Sequence, residues 1–300
     1  MNGRPYTAKQ ESIVLTLKAY AKVNLVLEVM GRRGDGYHEV AGIMQAVGLH
    51  DILTFEAADN TVFSCSAPGL QTGDNLVWRA VRALRGATGE TAGARITLEK
   101  KIPPAAGLGG GSSDAAAVLK GLNSLWGLGL SAEKLAGIAA GIGSDVPFFI
   151  YGGTCLAQGR GEKITPLPDI QRAWFVLLKP DVAVPVNKTA ALYGMLRPVH
   201  YSGGGLASGA AGRLKKGETG IGYLYNTFDK VAAAAYDGLE CYREAFAAAG
   251  AGDIHLAGSG PMLFSMFGSR EDALALQAKL SLANRCLTMV VESVAGDEAG

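Results

Sequence analysis

Hydrophobic and polar residues alternate along the first part of the chain. From Ile13 to Val29 every odd position is apolar, whereas the even positions include Lys22, Asn24 and Glu28. A period of two over this length predicts extended chain, either as two strands or as one bent strand. Lys22 and Asn24 then lie on the same face of the strand. A solvated strand face would explain Lys22 alone, but with Asn24 beside it the face also fits a polar site.

The same pattern predicts the other strands. In the first half of the chain they lie at residues 49–57, 61–66 and 95–101. Further along they lie at residues 154–157, 172–179, 254–256, 262–267 and 286–291. The polar turn at 158–163 is expected to join two of these strands, and the turn Gly258-Ser259-Gly260 to join two others.

Helical periodicity and capping residues predict the helices. Asp74 or Asn75 is expected to cap a helix that ends at Gly86. The remaining helices are predicted at residues 115–125, 131–140, 187–196, 226–249 (as one helix or two) and 269–280. Residues 201–223 are rich in glycine without a core pattern and are interpreted as a mobile surface loop, and residues 295–300 as a frayed tail.

Two loops in the first half of the chain carry candidate chemistry of their own. Residues 31–38 are turn-rich, and the Asp35-Gly36 dipeptide suits a hairpin. Tyr37 and His38 follow it, where an ordinary loop tip is the simplest interpretation. Asp145 lies between glycine or serine and Val-Pro-Phe-Phe. It is either a helix cap or a buried functional carboxylate.

The stretch 103–114 joins a predicted strand to a predicted helix through four glycines within five positions. Backbone without Cβ atoms approaches a ligand closely, and the first N–H groups of a helix are unpaired and partly positive. Ser112, Ser113 or Asp114 is expected to cap the helix. The stretch is neither a Walker A motif nor a dinucleotide fingerprint, and it predicts a phosphate site more than a flexible glycine turn.

Composition narrows the function classes. The chain has 300 residues, is 48% hydrophobic and 18% charged, and has a net charge of +1, which fits one large or two medium globular domains. No basic stripe favours nucleic acid, and no apolar run is long enough to span a membrane. The four scattered cysteines do not form a CxxC pattern, and residues 1–10 lack the apolar core of a signal peptide. A cytoplasmic location is therefore expected.

Three motifs follow one another along the chain, at residues 18–25 (Lys-Ala-Tyr-Ala-Lys-Val-Asn-Leu), 103–114 and 256–261 (Leu-Ala-Gly-Ser-Gly-Pro). Together they resemble the GHMP superfamily of small-molecule kinases, which includes galactokinase, homoserine kinase, mevalonate kinase and phosphomevalonate kinase. The stretches at 34–38, 145–149 and 159–163 are similar to the branch whose acceptor is a cytidine diphosphate-linked methylerythritol. The resemblance runs from about residue 13 to residue 293.

The resemblance implies an α+β, two-domain GHMP-kinase-like fold with the active site in the cleft between the domains. The domains are expected at residues 1–170 (nucleotide-binding and catalytic) and 171–300 (substrate side). It also implies ATP as donor, Mg²⁺ as counter-ion, and phosphorylation of the acceptor's 2-hydroxyl group in the non-mevalonate route to isoprenoid precursors. The acceptor is thus the implied binding partner, and neither nucleic acid nor a membrane is expected to bind. The protein is expected to be a monomer or a weak homodimer.

The resemblance also implies residue roles. Asp145 would deprotonate the hydroxyl group, and Lys22 would stabilise negative charge beside it. The implied nucleotide-binding residues are Asn75, near Leu76 and Trp78, and Pro104, Ala105, Ala106, Gly107, Leu108, Gly109, Gly110, Gly111, Ser112 and Ser113. The implied acceptor-binding residues are Asn24, Tyr37, His38, Tyr193, Gly258 and Ser259. No residue is assigned as a metal ligand.

The sequence departs from the family pattern at three places. Ala105 replaces the usual glycine of the loop, and residues 182–189 and 226–229 differ from the usual second-domain stretches. These departures leave the second domain's substrate contacts open. Three alternatives to the proposed activity are another kinase of the superfamily, a catalytically inactive binding relative, and an RNA-binding module. Tyr37-His38 argues against the first, intact Lys22 and Asp145 against the second, and near-neutral charge against the third.

Overall fold

The computed structural model describes residues 14–283 and 286–299, and it has the expected α+β composition. The strands are β1 (Leu15–Arg32), β2 (His38–Ala58), β3 (Val62–Cys65), β4 (Gly93–Glu99), β5 (Thr154–Gly159), β6 (Lys163–Pro166), β7 (Trp174–Lys179), β8 (Tyr225–Asn226), β9 (His255–Leu256), β10 (Leu263–Phe267) and β11 (Leu287–Glu292). The helices are α1 (Leu76–Thr88), α2 (Gly110–Leu125), α3 (Ala132–Ala140), α4 (Val146–Tyr151), α5 (Lys188–Met195), α6 (Gly205–Lys215), α7 (Ala232–Ala235), α8 (Leu239–Ala248), α9 (Arg270–Ala283) and α10 (Gly296–Ala299). None of the helices in these two ranges is long and apolar enough to cross a membrane.

The alternating start of the chain forms one long bent strand, β1, although Ile13 lies outside the described residues. It pairs antiparallel with β2, and register shifts along the pair introduce bulges that bend both strands. Arg32 pairs with His38 across the turn, so the predicted hairpin at 31–38 is confirmed. The first half of β2 was missed because residues 40–47 are buried on both faces and do not alternate.

The first sheet has the order β3-β4-β2-β1-β8, with β5 and β6 extending from the other half of β2. The turn at 158–163 joins β5 to β6 rather than to the strand near residue 172, because residues 163–166 turn back as a short strand. Helices α1 to α4 cover one face of this sheet around a core that includes Phe55, Leu119 and Phe148. At Gly121 a Cβ atom would lie 2.5 Å from the Phe55 ring, so this glycine permits close contact between helix and sheet.

The helix ends follow backbone conformation more than side-chain capping. Asn75 caps α1 as expected, but the helix passes Gly86 and ends at Thr88, before the left-handed Gly89. Ser131 caps α3 as expected. The prediction that Ser112, Ser113 or Asp114 caps α2 is wrong, because the left-handed Gly109 occupies the N-cap position three to five residues earlier. No side chain caps it.

The second sheet has the order β11-β7-β10-β9 and is buried on both faces. Phe175 and Leu177 of β7 face the long strands of the first sheet, whereas Val176 and Leu178 face α5, α8 and α9. The strands predicted between residues 254 and 291 are confirmed, as are the helices near 187–196 and 269–280.

Two expectations for the second half are wrong, and a third is right only in part. Residues 201–223 are not a loop but contain α6, whose alanines pack on β1 and β2; their small size concealed the helical pattern. Residues 226–249 contain two helices, one of the two alternatives predicted, but the helices start later than expected. The stretch begins with the end of β8 and a 3-10 turn, because the Asn226 side chain accepts from the Phe228 N–H and turns the chain. Residues 296–299 form α10, and Ala299 packs against Gly152.

Candidate active site

Two concave surfaces that share lining residues lie beside the glycine loop. The first, here called the loop cleft, has a volume of about 530 Å³ and is lined by β1, the 103–112 loop and the start of α4. The second, the aromatic cleft, has a volume of about 1060 Å³ and is lined by Tyr37, His38 and the start of α5. The residues shared by both surfaces are Ala105, Asp145, Arg160, Lys188, Thr189 and Tyr193.

The glycine loop presents an uncapped helix start to the loop cleft. Residues 103–112 line the cleft, and α2 begins at Gly110 without a side-chain hydrogen bond to its first N–H groups. Such N–H groups carry partial positive charge and need acceptors. Ser113 does not line the cleft: its side chain is buried, and its N–H donates to the Gly109 carbonyl at 2.9 Å. The arrangement fits an anion at the mouth of α2.

Three of the loop glycines are required by neighbouring protein atoms. A Cβ atom at Gly107 would lie 1.9 Å from the Ala257 carbonyl oxygen, and one at Gly109 would lie 2.7 Å from the Phe149 ring. At Gly110 it would lie 3.0 Å from Ile102. Gly111 differs, because its Cβ would meet only Leu76, at 3.6 Å. Of these four glycines, only Gly111 could carry a side chain without close contact to the rest of the protein.

Lys22 and Asn24 lie together at the base of the loop cleft. The Lys22 ammonium donates to Asn24 Oδ1 at 2.6 Å and lies 3.7 Å from Asp145 Oδ2. Burial lowers the pKa of Lys22, and the Asp145 carboxylate partly opposes this effect. The Lys22 N–H donates to the Leu108 carbonyl at 3.0 Å, which ties β1 to the glycine loop.

Asp145 occupies the N-cap position of α4 without acting as a cap. Its side chain makes no capping hydrogen bond, and 40% of its surface is exposed. Of the two sequence interpretations, the cap is therefore wrong, and the carboxylate is half exposed in the cleft rather than buried. It is free to accept a proton or a hydrogen bond from a ligand.

The third motif packs directly against the glycine loop. The Met262 N–H donates to the Ala106 carbonyl, and Asn226 Nδ2 donates to the Gly258 carbonyl at 2.7 Å. Gly258 and Ser259 both line the loop cleft. Ser259 Oγ lies 3.0 Å from Thr189 Oγ1, so the turn connects the loop to the start of α5.

Sequence reasoning missed Lys188 and Arg160, although both lie in quoted stretches. Lys188 Nζ donates to the Gly260 carbonyl oxygen. Burial lowers the pKa of Lys188 to about 8, repulsion from Lys22 adds to the effect, and Asp145 opposes it. The one feature of the sequence that pointed to Lys188 was the departure of residues 182–189 from the family pattern.

The aromatic cleft brings His38 and Tyr193 together. Their rings are stacked with centroids 4.7 Å apart and an interplanar angle of 19°. Tyr201 contacts the His38 ring edge-on, with centroids 6.0 Å apart. Burial lowers the pKa of His38, and Arg32 adds to this effect. Tyr37 is 54% exposed, and the Arg160 guanidinium lies 4.7 Å from its ring centre.

The predicted nucleotide-binding region around Asn75 is partly as expected. Asn75 and Leu76 line the loop cleft, but both ends of the Asn75 amide are already used, by the Val77 N–H and the Leu70 carbonyl. Trp78 is not among the lining residues and packs edge-on against Phe63.

A buried charge cluster beneath the loop was not predicted. Lys100 Nζ donates to Asp51 and, at 2.8 Å, to Asp114. Asp51 Oδ1 also accepts from two backbone N–H groups, whereas Asp114 Oδ1 has no hydrogen-bond partner. Burial raises the pKa of Asp114 to about 7, against the attraction of Lys100. Burial tends to lower the pKa of Lys100, but the two carboxylates outweigh it and raise that pKa.

Comparison with known proteins places these features in a family. Residues 75–153 match the family model "GHMP kinases N terminal domain". A protein from Dehalococcoides mccartyi, named 4-diphosphocytidyl-2-C-methyl-D-erythritol kinase, is 45% identical over 84% of this chain and 89% of its own length. The crystal structure of a 4-(cytidine 5'-diphospho)-2C-methyl-D-erythritol kinase matches with a TM-score of 0.76 and 32% identity, covering 92% of this chain and 99% of that one. A homoserine kinase from Cytophaga hutchinsonii shares the fold, with a TM-score of 0.75 at 18% identity over 99% of both chains.

Proposed function

Because the chain belongs to the 4-diphosphocytidyl-2-C-methyl-D-erythritol kinase family, we propose that it transfers the γ-phosphoryl group of ATP to the 2-hydroxyl group of that alcohol. The reaction would serve the non-mevalonate synthesis of isoprenoid precursors. One observation carries the proposal: the Lys22–Asp145 pair, 3.7 Å apart, lies in the same cleft as an uncapped helix start. Phosphoryl transfer needs positioned phosphates, neutralised charge and an oriented nucleophile.

The glycine loop is the proposed site of the ATP phosphates. Phosphate oxygens would accept from the free N–H groups at the start of α2, between Gly109 and Ser112. Residues 104–108 would shape the rest of this site, and Asn75 and Leu76 would lie beside the adenine. Ser113 would contribute by holding the helix, because its own N–H is already used.

Asp145 is the proposed general base and Lys22 its cationic partner. The exposed carboxylate would accept the proton of the 2-hydroxyl group as the oxygen attacks phosphorus. Lys22, fixed by Asn24, would stabilise negative charge on the attacking oxygen and on the phosphoryl group. Since this ammonium group is buried, its charge would act with little screening by water.

The aromatic cleft is the proposed site of the cytidine. Base-on-aromatic stacking tolerates any base, so His38 would supply the hydrogen bonds that read cytosine. Tyr37 and Tyr193 would offer ring faces, and Gly258 and Ser259 would contact the acceptor near the reacting hydroxyl group.

The donor oxygens of the loop cleft fit Mg²⁺ that is carried by ATP. Among the described residues, no three His, Cys, Asp or Glu side chains are grouped to hold a metal ion. Mg²⁺ in nucleotide sites keeps phosphate and water ligands and takes one or two oxygen ligands from the protein. The Ser112 hydroxyl lines the cleft and would supply one of these, which leaves the Asp145 carboxylate to accept the proton. When bound, the ion would neutralise phosphate charge.

The broader expectations remain proposals. The division at residues 1–170 and 171–300, with the cleft between the domains, stays a prediction: the second sheet lies within residues 174–292, but β8 joins the first sheet. The four cysteines are free, which suits a reducing cytoplasm. A monomer or weak homodimer without a nucleic-acid partner stays a prediction.

The test is ATP consumption with diphosphocytidyl-methylerythritol, mevalonate, homoserine and galactose as separate acceptors. The proposal predicts turnover with the cytidine-bearing alcohol at least tenfold above the other three, roughly the discrimination of one 1.4 kcal/mol contact. Equal turnover with another acceptor would favour a different kinase of the superfamily. Binding of both ligands without turnover would indicate a binding protein.

A further inference from the structure

Lys188 is a cleft lysine whose charge the protein does not balance. It is the first residue of α5, and Asn187 before it has a left-handed backbone with φ of 52°. Non-glycine residues in this conformation are uncommon and are often found at functional sites. The Lys188 ammonium donates to the Gly260 carbonyl and forms no ion pair within residues 14–283 and 286–299.

The surroundings make this unpaired charge costly. Burial and the nearby Lys22 both disfavour the charged form of Lys188, and Asp145 offsets them only in part. A partly buried charge without a close counter-charge is destabilising, and a ligand of opposite charge would relieve that cost. The contacts of Lys188 within the protein therefore point to an anionic ligand.

The position of Lys188 indicates which anion. It belongs to the small set of residues that line both the loop cleft and the aromatic cleft. The aromatic cleft carries three cationic side chains, Arg32, Arg160 and Lys188, against one carboxylate, Asp145. Arg160 is already engaged with the Tyr37 ring and lies 3.9 Å from Glu162, which leaves Lys188 as the cation at the junction.

The proposed acceptor has an anionic group at the matching place. Its cytosine would lie at His38 and Tyr193, and its reacting hydroxyl group at Asp145. The diphosphate joins the nucleoside to the alcohol, so it must cross the junction between the two clefts. We propose that Lys188 binds this diphosphate and thereby selects acceptors that carry one. This inference rests on the proposed function.

The test compares two ligands that differ in the diphosphate. Binding of cytidine diphosphate and of cytidine to the full chain is measured by calorimetry without ATP, so that no turnover occurs. Lys188→Gln removes the charge but keeps a donor for the Gly260 carbonyl, and Lys188→Arg keeps the charge. Lys215→Met, on the exposed face of α6, is the matched control for the loss of one charge. Thermal melting of every variant is recorded.

Lys188→Gln is expected to weaken cytidine diphosphate binding by about 10- to 100-fold, the usual range for a charged hydrogen bond. Cytidine binding should stay within about twofold, as one lost charge-assisted contact predicts. Lys188→Arg should retain most of the affinity, and Lys215→Met all of it. Lys188→Met, which has no donor, should resemble Lys188→Gln.

Two results would overturn the inference. Equal losses for both ligands would make Lys188 a structural residue of the turn. Unchanged cytidine diphosphate binding with a fall in kcat alone would place Lys188 against the transferring phosphoryl group instead. The proposed function is tested separately. It fails if the wild-type chain forms no phosphorylated acceptor from ATP and diphosphocytidyl-methylerythritol.

Discussion

The ammonium nitrogen of Lys22 lies close to several parts of the chain. Its ammonium contacts Asn24 on its own strand and faces Asp145 at the start of α4, and a Cβ atom at Gly258 would lie 2.8 Å from it. Lys22, Asn24 and Asp145 were predictable because they lie in short motifs. Lys188 and the Lys100 cluster were not, because their partners are distant in sequence.

The catalytic pair is tested by removing each partner. Asp145→Asn keeps the shape of the side chain and should reduce kcat about 10²- to 10⁴-fold, because the amide cannot accept the proton. Lys22→Met should reduce kcat by a comparable factor. The double variant should lose less than the product of the two, because the residues act as a unit. Steady-state kinetics of the three variants measure these losses. Near-normal turnover of Asp145→Asn would show that Asp145 is not the general base.

Asp114 should make stability depend on pH. Its folded pKa is about 7, above the ordinary value of 3.8. The folded state therefore holds a proton that the unfolded state releases, and this contribution is present below about pH 4 and lost as pH rises towards 7. The slope is at most about 1.4 kcal/mol per pH unit. Urea unfolding of wild type and Asp114→Asn from pH 4 to 8 measures it.

As pH rises, the free energy of unfolding of the wild type should fall relative to that of Asp114→Asn. A constant difference across this range would mean that Asp114 stays ionised in the fold.

At the scale of elements, the glycine loop was predicted well and its cap was not. The sequence predicted the order of strand, loop and helix. The helix begins at Gly110, earlier than predicted, because Gly109 adopts a left-handed backbone. The same limitation explains α6: its core face is built from alanines such as Ala207 and Ala210, whose pattern is too weak to stand out among glycines. Tertiary contacts, rather than local periodicity, determine this helix.

Gly111 separates the ligand role of the loop from its structural role. Valine there would extend towards the cleft from a position with one neighbour, at 3.6 Å, so the fold should melt within about 3 °C of wild type. The KM for ATP should rise roughly tenfold or more, because the side chain would crowd the phosphates. Gly109→Val should instead lower the melting temperature, since its Cβ would strike Phe149 and its φ is +74°. Unchanged ATP affinity in a folded Gly111→Val protein would contradict the loop assignment.

At the scale of the molecule, the cleft runs from β1 and the glycine loop to the start of α5 and the turn between β9 and β10. The second sheet packs between the long strands of the first and helices α5, α8 and α9, which holds Lys188 and Tyr193 opposite Lys22 and His38. The α+β class and the superfamily fold followed from the order of motifs. The packing of α10 against Gly152 did not, because a four-residue helix at the end of a chain has no periodicity to detect.

The division of the cleft predicts separable binding losses. Tyr37→Ala and His38→Ala should each weaken the cytidine acceptor by about 1–3 kcal/mol, or 5- to 150-fold, through lost stacking and pairing. The KM for ATP should change little, because neither residue lines the loop cleft. Equal losses for both substrates would mean that the 34–38 loop supports the whole cleft.

The position of the new phosphate on the acceptor tests the proposed reaction most directly. The chain is incubated with ATP and diphosphocytidyl-methylerythritol, and the product is analysed by phosphorus and carbon NMR, with Asp145→Asn as the control. The wild-type chain is expected to form one new phosphate ester, on the 2-hydroxyl carbon, and the variant little product. Phosphate on another hydroxyl group, or ATP hydrolysis without transfer, would contradict the proposed reaction.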